Sequence, residues 1–215
     1  MAVIGIMGGT FNPIHIGHIE IAQAAFDQYH LDEVWFMPNH IPGYKSNSNL
    51  ISGEKRLDMV KLAIADIPYF KASDYELKRL GNTYTAETLA LLNMEYPKDS
   101  FFFIMGEDSL DNFDQWKNPE IILKYAQILA APRDNQSLSK IIQRIRELNT
   151  IYNGEYFHLI QCENIPCSSS DIRHGLSTLY QSNSEKLLLY TEEKASKLYL
   201  PVIVYEYIIN HNLYK

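Results

Sequence analysis

Six short runs of apolar or β-favouring residues recur along the chain: Val3–Met7, Glu33–Met37, Phe70–Ser73, Ser100–Met105, Gln127–Ala131 and Tyr156–Ile160. The first, fourth and fifth are almost wholly apolar, which suits strands covered on both faces, as in a parallel sheet. Between the runs lie Ile19–Tyr29, Glu54–Ala65, Ala86–Tyr96, Pro119–Tyr125 and Leu138–Leu148, where apolar residues fall three and four apart. In the second of these, Leu57, Val60 and Ile64 share a face and Lys61 flanks it. Strand and helix in alternation predict a doubly wound, mainly parallel α/β sheet with helices on both faces and right-handed crossovers. A last helix is expected from near Pro201, turning Val204, Tyr207 and Ile208 inward. Ser182–Ser196, polar and then leucine-rich, reads as an insertion or loop before it. Residues 1–215 are therefore expected to form one domain with a small C-terminal helical part.

Charge and composition narrow the partners. The 215 residues are 46% hydrophobic, enough for a sizeable core, and carry a formal net charge of −7. That balance argues against nucleic acid or an anionic membrane surface, both of which need clustered lysine and arginine. A small phosphorylated ligand needs only a local positive patch. No apolar stretch approaches the about 18 residues of a membrane span. The opening MAVIGIMGGTF lacks the basic region of a secretory signal, so a soluble cytoplasmic protein is expected. Cys162 and Cys167 are the two cysteines. Their spacing fits neither a zinc site nor a disulfide scaffold, and they read as reduced thiols.

The first run leads into Gly8-Gly9-Thr10-Phe11-Asn12-Pro13-Ile14-His15-Ile16-Gly17-His18. Two glycines at a strand's C-terminal end allow a tight turn and the close approach of a phosphate. In an open α/β sheet, that end of the strands is where ligands bind. A helix starting near Gly17 would aim its N–H groups and positive dipole end at the same place. His15 and His18 are placed to donate hydrogen bonds to phosphate oxygens. Near the other end, Cys167-Ser168-Ser169-Ser170-Asp171-Ile172-Arg173 reads as hydroxyl residues capping a short helix, with Arg173 on or just beyond its first turn.

The first block resembles the signature of the HIGH-motif nucleotidyltransferase superfamily, and the serine block is similar to the triphosphate-binding Ser-Ser/Ala-Thr-x-x-Arg of its small adenylyltransferases. Further blocks narrow the resemblance. They are Pro38–Lys45, Glu76-Leu77-Lys78-Arg79 with Thr83–Leu89, Gly106-Glu107-Asp108-Ser109 with Trp116, Ala131-Pro132-Arg133, and the C-terminal Leu200–Tyr214. Taken in order, they are similar to the bacterial nicotinate-mononucleotide adenylyltransferase family across nearly the whole chain.

The resemblance implies a Rossmann-like fold and a reaction between ATP and nicotinate mononucleotide, giving nicotinate adenine dinucleotide and pyrophosphate. It implies catalytic roles for His15, His18, Lys45 and Arg173. ATP contacts are implied at Gly8, Gly9, Thr10, Phe11, His18, Gly106, Ser168, Ser169 and Arg173, and the substrate side at Asn12, Thr85, Asp108, Trp116, Lys117 and Arg133. Mg²⁺ is expected to be held by triphosphate oxygens and water, with no dedicated protein site. A homo-oligomer is allowed. The family usually has aspartate at position 12 and histidine at position 44. Asn12 keeps the acceptor oxygen without the charge, and Tyr44 lacks a titratable ring beside Lys45.

Plainer readings stand beside these. Trp116 could be a buried anchor, Arg133 a strand-end cap, Lys45 a solvated surface lysine, and Thr85 and Thr88 helix caps. Two other functions also stay open, pantetheine-phosphate adenylyltransferase and a non-catalytic dinucleotide-binding relative, the latter favoured by Asn12 alone.

Overall fold

The structure, a computed structural model, is described for residues 1–40, 50–79, 81–132, 138–163, 166–182 and 191–215. The predicted strands form as β1 (Val3–Gly9), β2 (Glu33–Pro38), β3 (Phe70–Ala72), β4 (Ser100–Gly106), β5 (Ala126–Ala131) and β6 (Phe157–Leu159). They lie in one sheet in the order β3-β2-β1-β4-β5-β6, and every neighbouring pair is parallel. The direction of winding reverses between β1 and β4, which opens a crevice at their C-terminal ends.

Helices cover both faces because the strands are apolar on both. On one side Met7, Val34, Phe36, Ile104 and Leu129 pack with α1 (Ile16–Tyr29), α2 (Gly53–Ala63), α7 (Ser169–Ser182) and α9 (Val202–Asn210). On the other, Ile4, Ile6, Phe101, Phe103 and Ile128 pack with α3 (Thr85–Glu95), α5 (Pro119–Tyr125) and α6 (Leu138–Ile151). Alternate residues of β1 enter opposite cores, as the period of two requires. The architecture is a Rossmann-like doubly wound α/β fold.

Two local expectations need correcting. Tyr207 is only half-buried, with its hydroxyl donating to Asp58 Oδ2 at 3.2 Å. The inward tyrosine of α9 is Tyr205, at 0% exposure. Val204, Tyr205, Ile208 and Ile209 make the buried stripe, because a helix pairs neighbours on one face at spacings of three and four. The segment Ser182–Ser196 is not simply a loop: α8 (Thr191–Lys197) begins within it and buries Ala195. Residues 183–190 of that segment lie outside the described residues.

Candidate active site

The crevice between β1 and β4 holds a cavity of about 450 Å³ walled by Gly8 and Gly9, Met37 and Asn39, Thr83 to Thr85, Phe103, and Trp116 with Lys117. The glycines are needed here for space. A Cβ on Gly8 would lie 2.9 Å from the Phe103 ring, and one on Gly9 3.2 Å from the Phe11 ring. The tight turn expected of them is made elsewhere. Both stay in the strand, and the left-handed residue is Phe11, at φ 48°. Its ring is buried and lies edge-on to His18 at 5.1 Å and against Phe36 at 6.0 Å. That packing supports a conformation disfavoured for a residue with a side chain.

His15 caps α1, and the His15 and His18 rings lie against each other, 3.7 Å between centroids. The His15 backbone N–H donates to His18 Nδ1 at 3.2 Å. That ring therefore accepts at Nδ1, and its proton is placed on Nε2. His15 Nδ1 lies 3.3 Å from Cys167 Sγ. Burial pushes the Cys167 thiol up, so the sulfur beside the imidazole is a thiol and not a thiolate. Burial also pushes His15 down to about 4, so it is a neutral donor and not an imidazolium.

The serine block reaches the same loop from the other side. Ser169 Oγ donates to the Pro13 carbonyl at 2.9 Å. Arg173 Nη1 donates to the carbonyls of Asn12, at 2.8 Å, and Ser169, at 3.0 Å. Ser168 is a helix cap: its hydroxyl donates to Asp171 Oδ2 at 2.7 Å and accepts from the Asp171 N–H at 3.2 Å. Arg173 also faces a second, polar cavity of about 500 Å³ with Ser170, His174 and Tyr214.

On the substrate side, Trp116 is half-buried, its ring edge-on to Phe103 at 5.9 Å and tilted against Phe113 at 5.6 Å. The plain anchor reading and a stacking role are thus compatible. Thr85 begins α3 beside the cavity, and Tyr84 caps that helix without a side-chain hydrogen bond. Lys117 pairs with Glu87 at 2.7 Å and lies 3.9 Å over the Tyr84 ring. Asp108 and Gly106 are exposed and do not line the cavity. Tyr44, Lys45 and Arg133 lie outside the described residues.

Two supporting residues had no role assigned from the sequence. Glu76 is buried against the cavity, accepting from the Thr83 and Thr88 hydroxyls at 2.7 Å each. Arg79 adds a bond of 2.7 Å to the Thr88 hydroxyl, so Thr88 serves this network and not a helix end. Arg56 has 0% exposure and donates to four carbonyls: Ile51 at 3.0 Å, Thr10 at 2.6 Å, Asn39 at 2.6 Å and His40 at 3.2 Å. Burial draws it down to about 10, and it stays charged. The available signal was its register: Arg56 shares the apolar stripe of α2 with Met59 and Val60.

The crevice lies at the winding switch point of an α/β fold, with the His15 and His18 imidazoles at the start of α1 and Arg173 of α7 bonded to the loop after β1. Residues 6–175 match the cytidylyltransferase-like family. The chain is 41% identical over 214 residues to a protein of Lachnoclostridium phytofermentans named "Probable nicotinate-nucleotide adenylyltransferase", covering 100% of both. It is 37% identical over 187 residues to the protein of the same name from Shewanella frigidimarina, covering 81% of this chain and 88% of the relative. Its fold matches the Plasmodium falciparum nicotinic acid mononucleotide adenylyltransferase complexed with NaAD at TM-score 0.74 and 21% identity, covering 100% and 98%. The chain belongs to the cytidylyltransferase-like proteins and, among them, to the nicotinate-nucleotide adenylyltransferase family. No helix among the described residues is long and apolar enough to cross a membrane.

Proposed function

We propose that the protein transfers the adenylyl group of ATP to nicotinate mononucleotide, releasing pyrophosphate. A mononucleotide phosphate oxygen attacks the α-phosphorus in line, the α–β bridging oxygen leaves with pyrophosphate, and no covalent enzyme intermediate forms. The nucleophile needs no general base, because a phosphate monoester with a second pKa of about 6 is already largely ionised at neutral pH. Catalysis then rests on positioning and on donors aimed at developing charge. His15 and His18 supply neutral N–H donors, Arg173 a fixed cation, and the strand end at Gly8 and Gly9 a close backbone approach. Lys45 and Arg133 are proposed to add charge on the triphosphate and on the mononucleotide phosphate.

One observation carries the reading: the cavity at the β1–β4 crevice combines a half-buried indole with the N-terminus of α3, where the Tyr84 side chain makes no capping bond. A flat pyridine ring fits against Trp116. The first N–H groups of α3, to which Tyr84 offers no side-chain cap, suit the ring's carboxylate. Glu76 shares this wall, but both its oxygens are engaged by threonine hydroxyls.

Mg²⁺ would neutralise charge on the triphosphate. No three His, Cys, Asp or Glu side chains gather to hold a metal among the described residues. Asn12 Oδ1 accepts from two protein donors, and the ion is proposed to be carried on phosphate oxygens and water. The deciding test is pyrophosphate release from ATP with nicotinate mononucleotide, against nicotinamide mononucleotide and phosphopantetheine. Release with phosphopantetheine alone would transfer the assignment to the pantetheine enzyme. Binding of ATP without release from any of the three would mark a non-catalytic relative.

A further inference from the structure

We propose that Tyr214, one residue from the C-terminus, is a positioning residue of the triphosphate side of the site, holding the loop after β1 through the Asn12 side chain. The proposal rests on the adenylyltransferase reading and adds to it a residue from the far end of the chain. Tyr214 Oη donates to Asn12 Oδ1 at 2.9 Å across a separation of 202 residues. The Ile51 N–H donates to the same oxygen at 3.3 Å. On the backbone side, Arg173 Nη1 holds the Asn12 carbonyl at 2.8 Å. Residue 12 is thus gripped at its amide oxygen by the chain end and the approach to α2, and at its carbonyl by α7.

The tyrosine is itself well held. Leu213 is buried and its N–H donates to the Ile208 carbonyl at 3.0 Å, fixing the turn after α9. Tyr214 then takes a left-handed backbone, φ 64°, which a residue with a side chain adopts only where its surroundings impose it. Its ring packs against the apolar core, and Tyr214, Ile51 and Arg173 all face the second cavity. Burial raises the phenol well above its ordinary value, so the hydroxyl keeps its proton and is a constant donor.

This geometry assigns Asn12 a chemical role. What the loop uses is an acceptor oxygen, which asparagine and aspartate both provide. Loss of the carboxylate charge therefore leaves the Tyr214 contact in place. Loss of the oxygen breaks it.

The test is a double-mutant cycle of Tyr214→Phe and Asn12→Ala, with steady-state kinetics for each substrate and urea unfolding. Tyr214→Phe keeps the ring and removes only the donor, so folding is retained. The expected loss in kcat/KM for ATP is about three- to tenfold, the value of one neutral hydrogen bond. KM for the mononucleotide should stay within about twofold, since its cavity lies on the other side of β1. The double variant should be no worse than Asn12→Ala, and the Tyr214→Phe penalty should persist in an Asn12→Asp background.

Wild-type kinetics for Tyr214→Phe would overturn the proposal. So would additive losses in the cycle, or equal losses on both substrates with lowered stability. If the wild-type protein binds a non-hydrolysable ATP analogue but releases no pyrophosphate, the adenylyltransferase reading fails alone. The coupling is then read in the analogue's Kd, and its absence there overturns the role of Tyr214. No binding of the analogue would sink both.

Discussion

His15 and His18 sit three residues apart, yet they meet different surroundings. His18 is half-buried, and His15 is enclosed between His18, Gly17 and Cys167. As a donor to the transition state, His18 should matter for rate: His18→Ala is expected to lower kcat by about two to three orders of magnitude. Its stability cost should be modest, about 1–2 kcal/mol, since His18 accepts from the His15 N–H and packs against the Phe11 and His15 rings. Turnover near wild type would remove His18 from the mechanism. His15 should show itself in stability. Burial lowers it from 6.5 to about 4, so the folded state binds fewer protons than the unfolded chain. Its contribution is complete above pH 6.5 and is lost as pH falls toward about 4, at most about 3 kcal/mol. Urea unfolding between pH 7.5 and 4.5 should therefore fall more steeply for wild type than for His15→Gln, and parallel curves would count against a desolvated His15. The two histidines were legible as a pair because their spacing and their place after a glycine-ended strand are local. Arg56 and Glu76 were not. A charged residue is ordinarily expected at the surface, and although the register of Arg56 hints at burial, only the fold reveals the partners of either residue.

The helix that shapes the substrate cavity is α3, and its start divides the work between backbone and side chains. The Tyr84 side chain makes no capping bond to the first N–H groups, and the helix dipole favours an anion there. Thr83, Thr88, Glu76 and Arg79 brace that turn from behind. A carboxylate on the pyridine ring accepts from such donors. A carboxamide would turn an NH₂ toward them and leave buried groups unpaired at about 1–3 kcal/mol each. The expected outcome is a preference for nicotinate over nicotinamide mononucleotide of about a hundredfold or more in kcat/KM. Competition at equal concentration checks it, and parity would mean that this helix end is not what reads the substituent. At this scale the sequence was informative where periodicity is strong. The all-apolar strands and the amphipathic α2 were readable because burial on two faces or one leaves different patterns. The inward tyrosine of α9 was misplaced because Val202 to Ile209 is apolar nearly all round, so spacing alone does not choose between Tyr205 and Tyr207. The cap at Ser168 was legible as local chemistry, whereas the long bonds from Ser169 and Arg173 to the first loop were not.

Across the whole molecule, the site is assembled from segments far apart in sequence and tied together by carbonyl oxygens. The loop after β1 receives Arg56 from α2, Arg173 and Ser169 from α7, and Tyr214 from the chain end. Arg56 is the most enclosed of these ties. It bridges the end of β1 at Thr10, the segment after β2 at Asn39 and His40, and the approach to α2 at Ile51. Four carbonyls satisfied by one planar guanidinium offset the cost of burying its charge, and removing it leaves them unpaired in the interior. Arg56→Met conserves much of the volume and deletes the donors. Relaxation and water should recover part of the loss, leaving a destabilisation of about 3 kcal/mol. In a domain of this size that corresponds to a fall in Tm of about 6–12 °C. Arg56→Lys should recover less than half of it, because one ammonium does not span carbonyls that the fork reaches in three directions. Thermal unfolding of both variants decides the matter. A lysine variant as stable as wild type would show that charge alone suffices, and a methionine variant as stable as wild type would show that these loops hold their shape without the arginine.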